Sequence, residues 1–156
     1  MKTAKKGIDL IKFYESFQKK AYKCPAGVWT IGYGHTRKAQ RGQTINENQA
    51  IELLMSDLQF AEISVKKQAL FINQNQFDAL VSFTFNVGSG AFTRSTLLKK
   101  IKSGADEVEI RHQFNRWNKA SGVVLNGLVS RRKAEGDLYF ETEFIGDLDP
   151  KTEKRL

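Results

Sequence analysis

Between Asn73 and Gly88 the chain reads NQNQFDALVSFTFNVG, and Phe77, Leu80, Val81, Phe83, Phe85 and Val87 leave almost no polar face at helical spacing. Asn73 followed by Gln76 is a capping-box pattern, which starts a helix at this point. A helix that is apolar nearly all round must be enclosed by other elements, so it is expected to form the core of a lobe around which the remaining chain packs. The chain has 156 residues. A chain of that length buries roughly two-thirds of its unfolded surface and needs neither disulfide nor metal to fold.

The segments around this helix are also mostly helical. Thr44 and Glu47 have capping-box spacing, and Ile51, Leu54, Met55, Leu58, Ala61 and Val65 trace one helix face, which predicts a long helix bridging two lobes. Further helices are expected over 95–103, 106–119 and 128–140, broken by Gly104, Gly122 and Gly127. From about 142 to 156 the chain is polar and contains Asp149-Pro150, so a wrapping or fraying tail is expected there. No repeat, low-complexity tract or proline-rich linker divides the chain, and one domain over 1–156 is expected.

The N-terminal segment differs in kind. Ile8, Leu10, Ile11 and Tyr14 give an amphipathic helix that starts near Thr3 or Lys5 and closes at Glu15. Residues 21–23 and 28–33 read as short strands around a Pro25-Ala26-Gly27 turn, with Cys24 at the turn entry and Thr30 on the returning strand. Eight residues separate Glu15 from Cys24, and five separate Cys24 from Thr30. A carboxylic acid at a helix end, facing small polar groups on a hairpin, suits general acid chemistry with a positioned water, as glycoside hydrolysis requires. Taken singly, each residue also has a plain role: a solvated acid, a small buried hydrophobe and a strand-forming threonine.

This spacing, together with TIGYGHT and the later GLVSRR, resembles the phage-type lysozymes of glycoside hydrolase family 24, the endolysins of tailed phages and prophages. Their signature is Glu, eight residues, Asp or Cys, five residues, then Thr, and this chain carries the Cys form. The resemblance extends from Gly7 to about Phe140. It implies an α+β lysozyme-like fold, with a small N-terminal β-hairpin lobe and a larger helical lobe joined by a long helix. It also implies hydrolysis, with inversion, of the β-1,4 bond between N-acetylmuramic acid and N-acetylglucosamine in bacterial peptidoglycan, leading to host lysis. Glu15 would be the general acid, while Cys24 and Thr30 would manage the water; whether Cys24 acts as base, electrostatic stabiliser or nucleophile stays open. Arg131 and Arg132 match the family's GLxxRR, and Phe85 and Asn86 its cleft-lining segment, so these four are expected to bind substrate. The competing functions are a wall-binding or phage structural module without turnover, and chitin hydrolysis.

The formal net charge of +8 fits attraction to the anionic bacterial envelope. Nucleic-acid binding would also need basic residues, but here they are scattered and no recognition motif accompanies them. His35 is expected to orient a neighbour and His112 to be incidental, and no His and Cys spacing suits a metal, so neither metal nor cofactor is expected. Gly32 and Gly34 suggest tight backbone packing, and Trp117 a core position. A lone cysteine and the lack of a long apolar run point to folding in a reducing cytoplasm without stable membrane insertion. A monomer is expected. Passage to the wall would then need a holin or another membrane lesion.

Overall fold

The computed structural model describes residues 1–142, so the expected polar tail lies, apart from Thr142, outside the described residues. The order of elements is α1 (Lys5–Glu15), β1 (Gln18–Lys23), β2 (Trp29–Gly32), α2 (Glu47–Asp57), α3 (Gln59–Lys66), α4 (Gln74–Val87), α5 (Ser89–Thr93), α6 (Thr96–Lys102), α7 (Glu107–Asn115), β3 (Lys119–Ala120), β4 (Val123–Val124) and α8 (Asn126–Tyr139). This is the mixed α+β arrangement expected, a small hairpin followed by a predominantly helical body.

The apolar helix α4 is the centre of that body and packs against α1, α3, α5 and α8. Its start is fixed reciprocally: Asn73 Oδ1 accepts from the Gln76 amide at 2.9 Å, and Gln76 Oε1 accepts from the Asn73 amide at 3.0 Å. Phe77, Ala79, Leu80, Val81 and Phe83 are all buried, and each large side chain removed from water contributes about 1.5–3 kcal/mol. The edges of Phe92, Phe114 and Trp117 surround the Phe83 ring at 5.5–6.3 Å, so α4 joins the C-terminal helices through aromatic contact. Trp117 thus has the packing position expected of it.

Asp78 interrupts the apolar surface for a reason. Fully buried, it accepts from the amides of Ala4 at 3.1 Å and Gly7 at 3.3 Å, and so holds the first turn of α1 on α4. Burial raises its carboxyl above the ordinary value, against those amide bonds and Gln74. A Cβ at Gly7 would stand 2.7 Å from Asp78 Cβ, so only glycine permits this approach.

The hairpin is antiparallel, pairing Tyr22 with Thr30 and Lys23 with Trp29, with an irregularity between Gln18 and Tyr22. The Cys24 amide donates to Val28 O at 2.9 Å and the Gly27 amide to Cys24 O at 2.8 Å, closing the turn with Gly27 at φ +78°. On its other edge β1 receives the segment around Thr44, through Ala21 N to Gln43 O and Ile45 N to Lys19 O, both 3.0 Å. Thr30, Ile31 and Gly32 are buried where β2 meets α2.

Several elements differ from expectation. The cap of α2 is Asn46 with Gln49, not Thr44 with Glu47, because Thr44 is bridged to Lys20 and the chain stays extended through Asn46. The bridging helix forms as α2 and α3, which meet at Leu58 in helical conformation; α2 packs on β2 and α3 on α4, so the segment does link hairpin and body. The helix over 106–119 stops at Asn115, and 119–124 forms a second hairpin whose turn residues Ser121 and Gly122 both have positive φ. Gly127 does not break a helix but lies in the first turn of α8, whereas Gly104 and Gly122 take positive φ between elements. The one-turn helix α5 carries no amphipathic signal of its own.

Candidate active site

Glu15 is the last residue of α1. Ser16 follows at φ 58°, ψ 139°, while its amide still donates to Lys12 O at 3.1 Å. Few residues other than glycine adopt this conformation, and it turns the chain abruptly off the helix into β1. The turn leaves the Glu15 carboxyl at the mouth of a cavity, with its side chain 24% exposed.

The two carboxyl oxygens have different surroundings. Arg131 Nη1 donates to Oε1 at 2.7 Å. Oε2 faces the backbone of Gly34, where a Cβ would stand 3.7 Å away. Gly34 occupies a tight turn closed by reciprocal amide bonds of 2.9 Å between Ile31 and His35, with Gly32 at φ +66° and Gly34 at φ +86°. The turn is anchored to α2: His35 Nδ1 bonds Asp57 Oδ2 at 2.8 Å, and the Tyr33 hydroxyl donates to Glu47 Oε1 at 3.0 Å. Lys12 of α1 reaches the same Glu47 oxygen at 3.2 Å, and its hydrogen bond holds that carboxyl below the usual range. His35 therefore has the orienting place expected of it.

Behind Glu15 lies a buried charge cluster. Arg131 Nε donates to Glu135 Oε1 at 3.2 Å and its Nη2 to Ser82 O at 3.3 Å. Glu135 Oε1 also accepts from the Ser82 hydroxyl at 2.8 Å, and Oε2 accepts from Arg132 Nη1 at 2.6 Å. Arg132 completes its bonding to Trp117 O at 2.9 Å and to Asn86 Oδ1. Burial pushes the Glu135 carboxyl up, against the attraction of Arg132 and Arg131, and pulls the Arg132 guanidinium down. With two guanidiniums donating to one carboxylate, the geometry is that of the ionised cluster.

Tyr14, Glu15, Asn86, Leu125, Gly127, Leu128 and Arg131 line a cavity of about 310 Å³ in front of this cluster. A larger hollow of about 480 Å³ lies between the start of α1 and α2–α3, but its Glu62 is taken up by the amide and hydroxyl of Thr3. The Glu15 cavity, by contrast, brings an acid, an amide and a guanidinium together.

Cys24 and Thr30 meet on the hairpin. Cys24 is half-buried, and hydrogen bonding from the Val28 backbone, against burial and with help from Ala26 and Thr30, lowers its thiol below the ordinary value. Thr30 is buried, and its hydroxyl donates to Val28 O at 3.0 Å. A hydroxyl has one hydrogen, so to donate to a thiolate Thr30 must rotate away from Val28.

The fold thus gathers Glu15, Asn86 and Arg131 at one cavity and pairs Cys24 with Thr30 on the hairpin. One expected contact is corrected. Arg132 has no exposed surface and supports Asn86 from behind, so it cannot touch a sugar. Phe85 packs against Phe60 of α3 at 6.1 Å, and it is Asn86 that lines the cavity. Ser82 and Glu135 have no part in the sequence reading, and Gly34 enters it only as a position of tight backbone packing. Glu135 had a signal in its placement four residues after Arg131 and three after Arg132, and Ser82 in being one of the few polar residues in the apolar run from Phe77 to Phe85. Among the described residues, no cluster of three or more His, Cys, Asp or Glu could hold a metal ion, and no helix is long and apolar enough to cross a membrane.

The phage lysozyme family model matches residues 12–135. The endolysin of Acyrthosiphon pisum secondary endosymbiont phage 1 is 42% identical over 144 residues, covering 89% of this chain and 98% of the relative. The endolysin of Bacillus phage B103 is 42% identical over 147 residues, covering 92% of this chain; the chain spans 56% of that relative's length. Among solved structures, the muramidase domain of SpmX from Asticcacaulis excentricus superposes with a TM-score of 0.84 at 36% identity, covering 90% of this chain and 99% of that one.

Proposed function

This chain belongs to the phage lysozyme family, and on that footing we propose that Glu15, Cys24 and Thr30 carry out its chemistry. The protein is a glycoside hydrolase of endolysin type. Its substrate is bacterial peptidoglycan, in which it hydrolyses the β-1,4 bond between N-acetylmuramic acid and N-acetylglucosamine.

The observation that carries the site assignment is the unequal environment of the Glu15 oxygens. Oε1 is held by Arg131, so Oε2, facing Gly34, is the oxygen that carries the transferable proton. As the glycosidic bond breaks, that proton passes to the departing oxygen and Glu15 is left as a carboxylate, which Arg131 stabilises. A water oxygen bonds to the anomeric carbon from the opposite face, and the proton it loses goes to the Cys24 thiolate. Thr30 holds that water with its rotatable hydroxyl. The lowered Cys24 thiol supports a thiolate in this role. A single displacement of this kind inverts the anomeric configuration.

Net charge supports attraction to the anionic envelope, the chain acts as a monomer, and release from the host cytoplasm to the wall depends on a membrane lesion of holin type. Two measurements test the function. Purified protein should clear suspensions of permeabilised Gram-negative cells and yield fragments with N-acetylmuramic acid at the new reducing end. NMR of the first-formed anomer should show inversion, and retention would replace the water mechanism with attack by sulfur. Tight binding to the wall without cleavage would instead mark a wall-binding module.

A further inference from the structure

Glu135 makes no contact with the cavity, yet everything charged at the cavity leads to it. Each of its oxygens serves a different arginine: Oε1 accepts from Arg131 Nε at 3.2 Å and Oε2 from Arg132 Nη1 at 2.6 Å. Each arginine then reaches forward with another nitrogen to a cavity residue, Arg131 to Glu15 and Arg132 to Asn86. Ser82 fixes the carboxylate from α4, donating to Oε1 at 2.8 Å. We propose that Glu135 is a positioning residue of this active site, a single buried carboxylate that orients both the acid Glu15 and the cavity residue Asn86 by holding the two arginines behind them. The proposal rests on the assignment of Glu15 as the acid.

Its charge matters as much as its geometry. Two guanidiniums and two carboxylates share the cluster, and of these only Glu15 is open to solvent. Among the described residues, no other ionisable group nearby can replace Glu135. On α4, Asp78 is held by the α1 amides. On α7, Arg111 is paired with Glu107 and Asp137, and His112 is exposed. On α8 itself, Lys133 pairs with Asp137. On α1, Lys12 pairs with Glu47, Asp9 with Lys5 and Lys6 with Glu141, while Tyr14 presents only its ring to Arg131, at 5.8 Å. Removing the Glu135 charge would leave Glu15 as the one carboxylate of the cluster, bonded to Arg131 with Arg132 behind it, and so favour its ionised form, which has no proton to give.

The test compares wild type, Glu135→Gln, Glu135→Asp and Ser82→Ala for kcat and KM on soluble peptidoglycan fragments across pH, with thermal melting beside them. Wild-type turnover is the control that separates this proposal from the functional assignment beneath it. Glu135→Gln is expected to lower kcat at neutral pH roughly tenfold or more with KM nearly unchanged, and to move the alkaline limb of its pH profile about half a unit or more to lower pH. Glu135→Asp keeps the charge but cannot span both arginines, so kcat should fall while the limb stays in place. If Glu135→Gln does not fold, Glu135→Asp and the milder Ser82→Ala decide by the same loss of kcat at constant KM. Folded variants with wild-type kcat and pH profile, and only a lower Tm, would overturn the proposal and make Glu135 a purely structural residue.

Discussion

Arg131 reaches from α8 to within 2.7 Å of Glu15 on α1, across a sequence separation of 116 residues. The pair brings the end of the first helix and the last helix to one cavity. It also divides the carboxyl into a held oxygen and a free one, which is what a directed proton transfer needs. Glu15→Gln preserves the shape and can still accept from Arg131, but it has no acidic proton. Lysis by this variant is expected to fall about 10²–10⁴-fold with helical circular dichroism unchanged. Near-normal clearing by the folded variant would remove Glu15 from the mechanism.

Cys24 predicts a pH dependence with a defined sign. Its thiol is lowered, first by hydrogen bonding from the Val28 backbone, so the thiolate gains population as pH rises through a value below that of a free cysteine. Activity limited by this group should therefore rise with pH on the acid side of the optimum. Cys24→Asp, ionised at lower pH, should remain active and shift that limb to more acidic values. Cys24→Ala should lose most activity, and thiol alkylation should inactivate the wild type but not Cys24→Asp. Full activity of Cys24→Ala would reduce the cysteine to packing.

Ser16 holds a conformation at φ 58°, ψ 139° that strains a residue with a Cβ. Ser16→Gly relieves that strain but gains freedom in the unfolded chain, for a net stabilisation of about 1 kcal/mol. A rise in Tm of roughly 2–4 °C is expected, with turnover retained. A fall in Tm would show that the Ser16 side chain contributes more than its backbone costs.

The net charge of +8 predicts that clearing of whole cells falls as ionic strength rises, whereas cleavage of a short uncharged glycan changes little. Equal salt sensitivity on both substrates would place the effect in the active site or in folding.

Elements whose signals are local can be read directly from the order of residues. Capping at Asn73 and Gln76, the largely apolar surface of α4, the termination of α1 at Glu15 and the Cys24–Gly27 turn all depend on residues within a few positions of one another, and all form as expected. The proposed site residues Glu15, Cys24 and Thr30 stand out in the sequence through their spacing, and the GLVSRR segment through its resemblance. Where two local signals competed, the fold decided. Thr44 could have capped α2, but a bridge to Lys20 keeps the strand extended as far as Asn46. Only the tertiary structure determined which arginine meets Glu15, because Arg131 and Arg132 are neighbours in sequence but point along different directions from the same helix turn. One faces α1, and the other is buried between α4 and the Trp117 carbonyl. The physical reason is that burial of a charge depends on partners supplied from distant segments. Glu135, Ser82 and Asn86 become a single network only when α4 and α8 pack together, and no local pattern of residues encodes that contact.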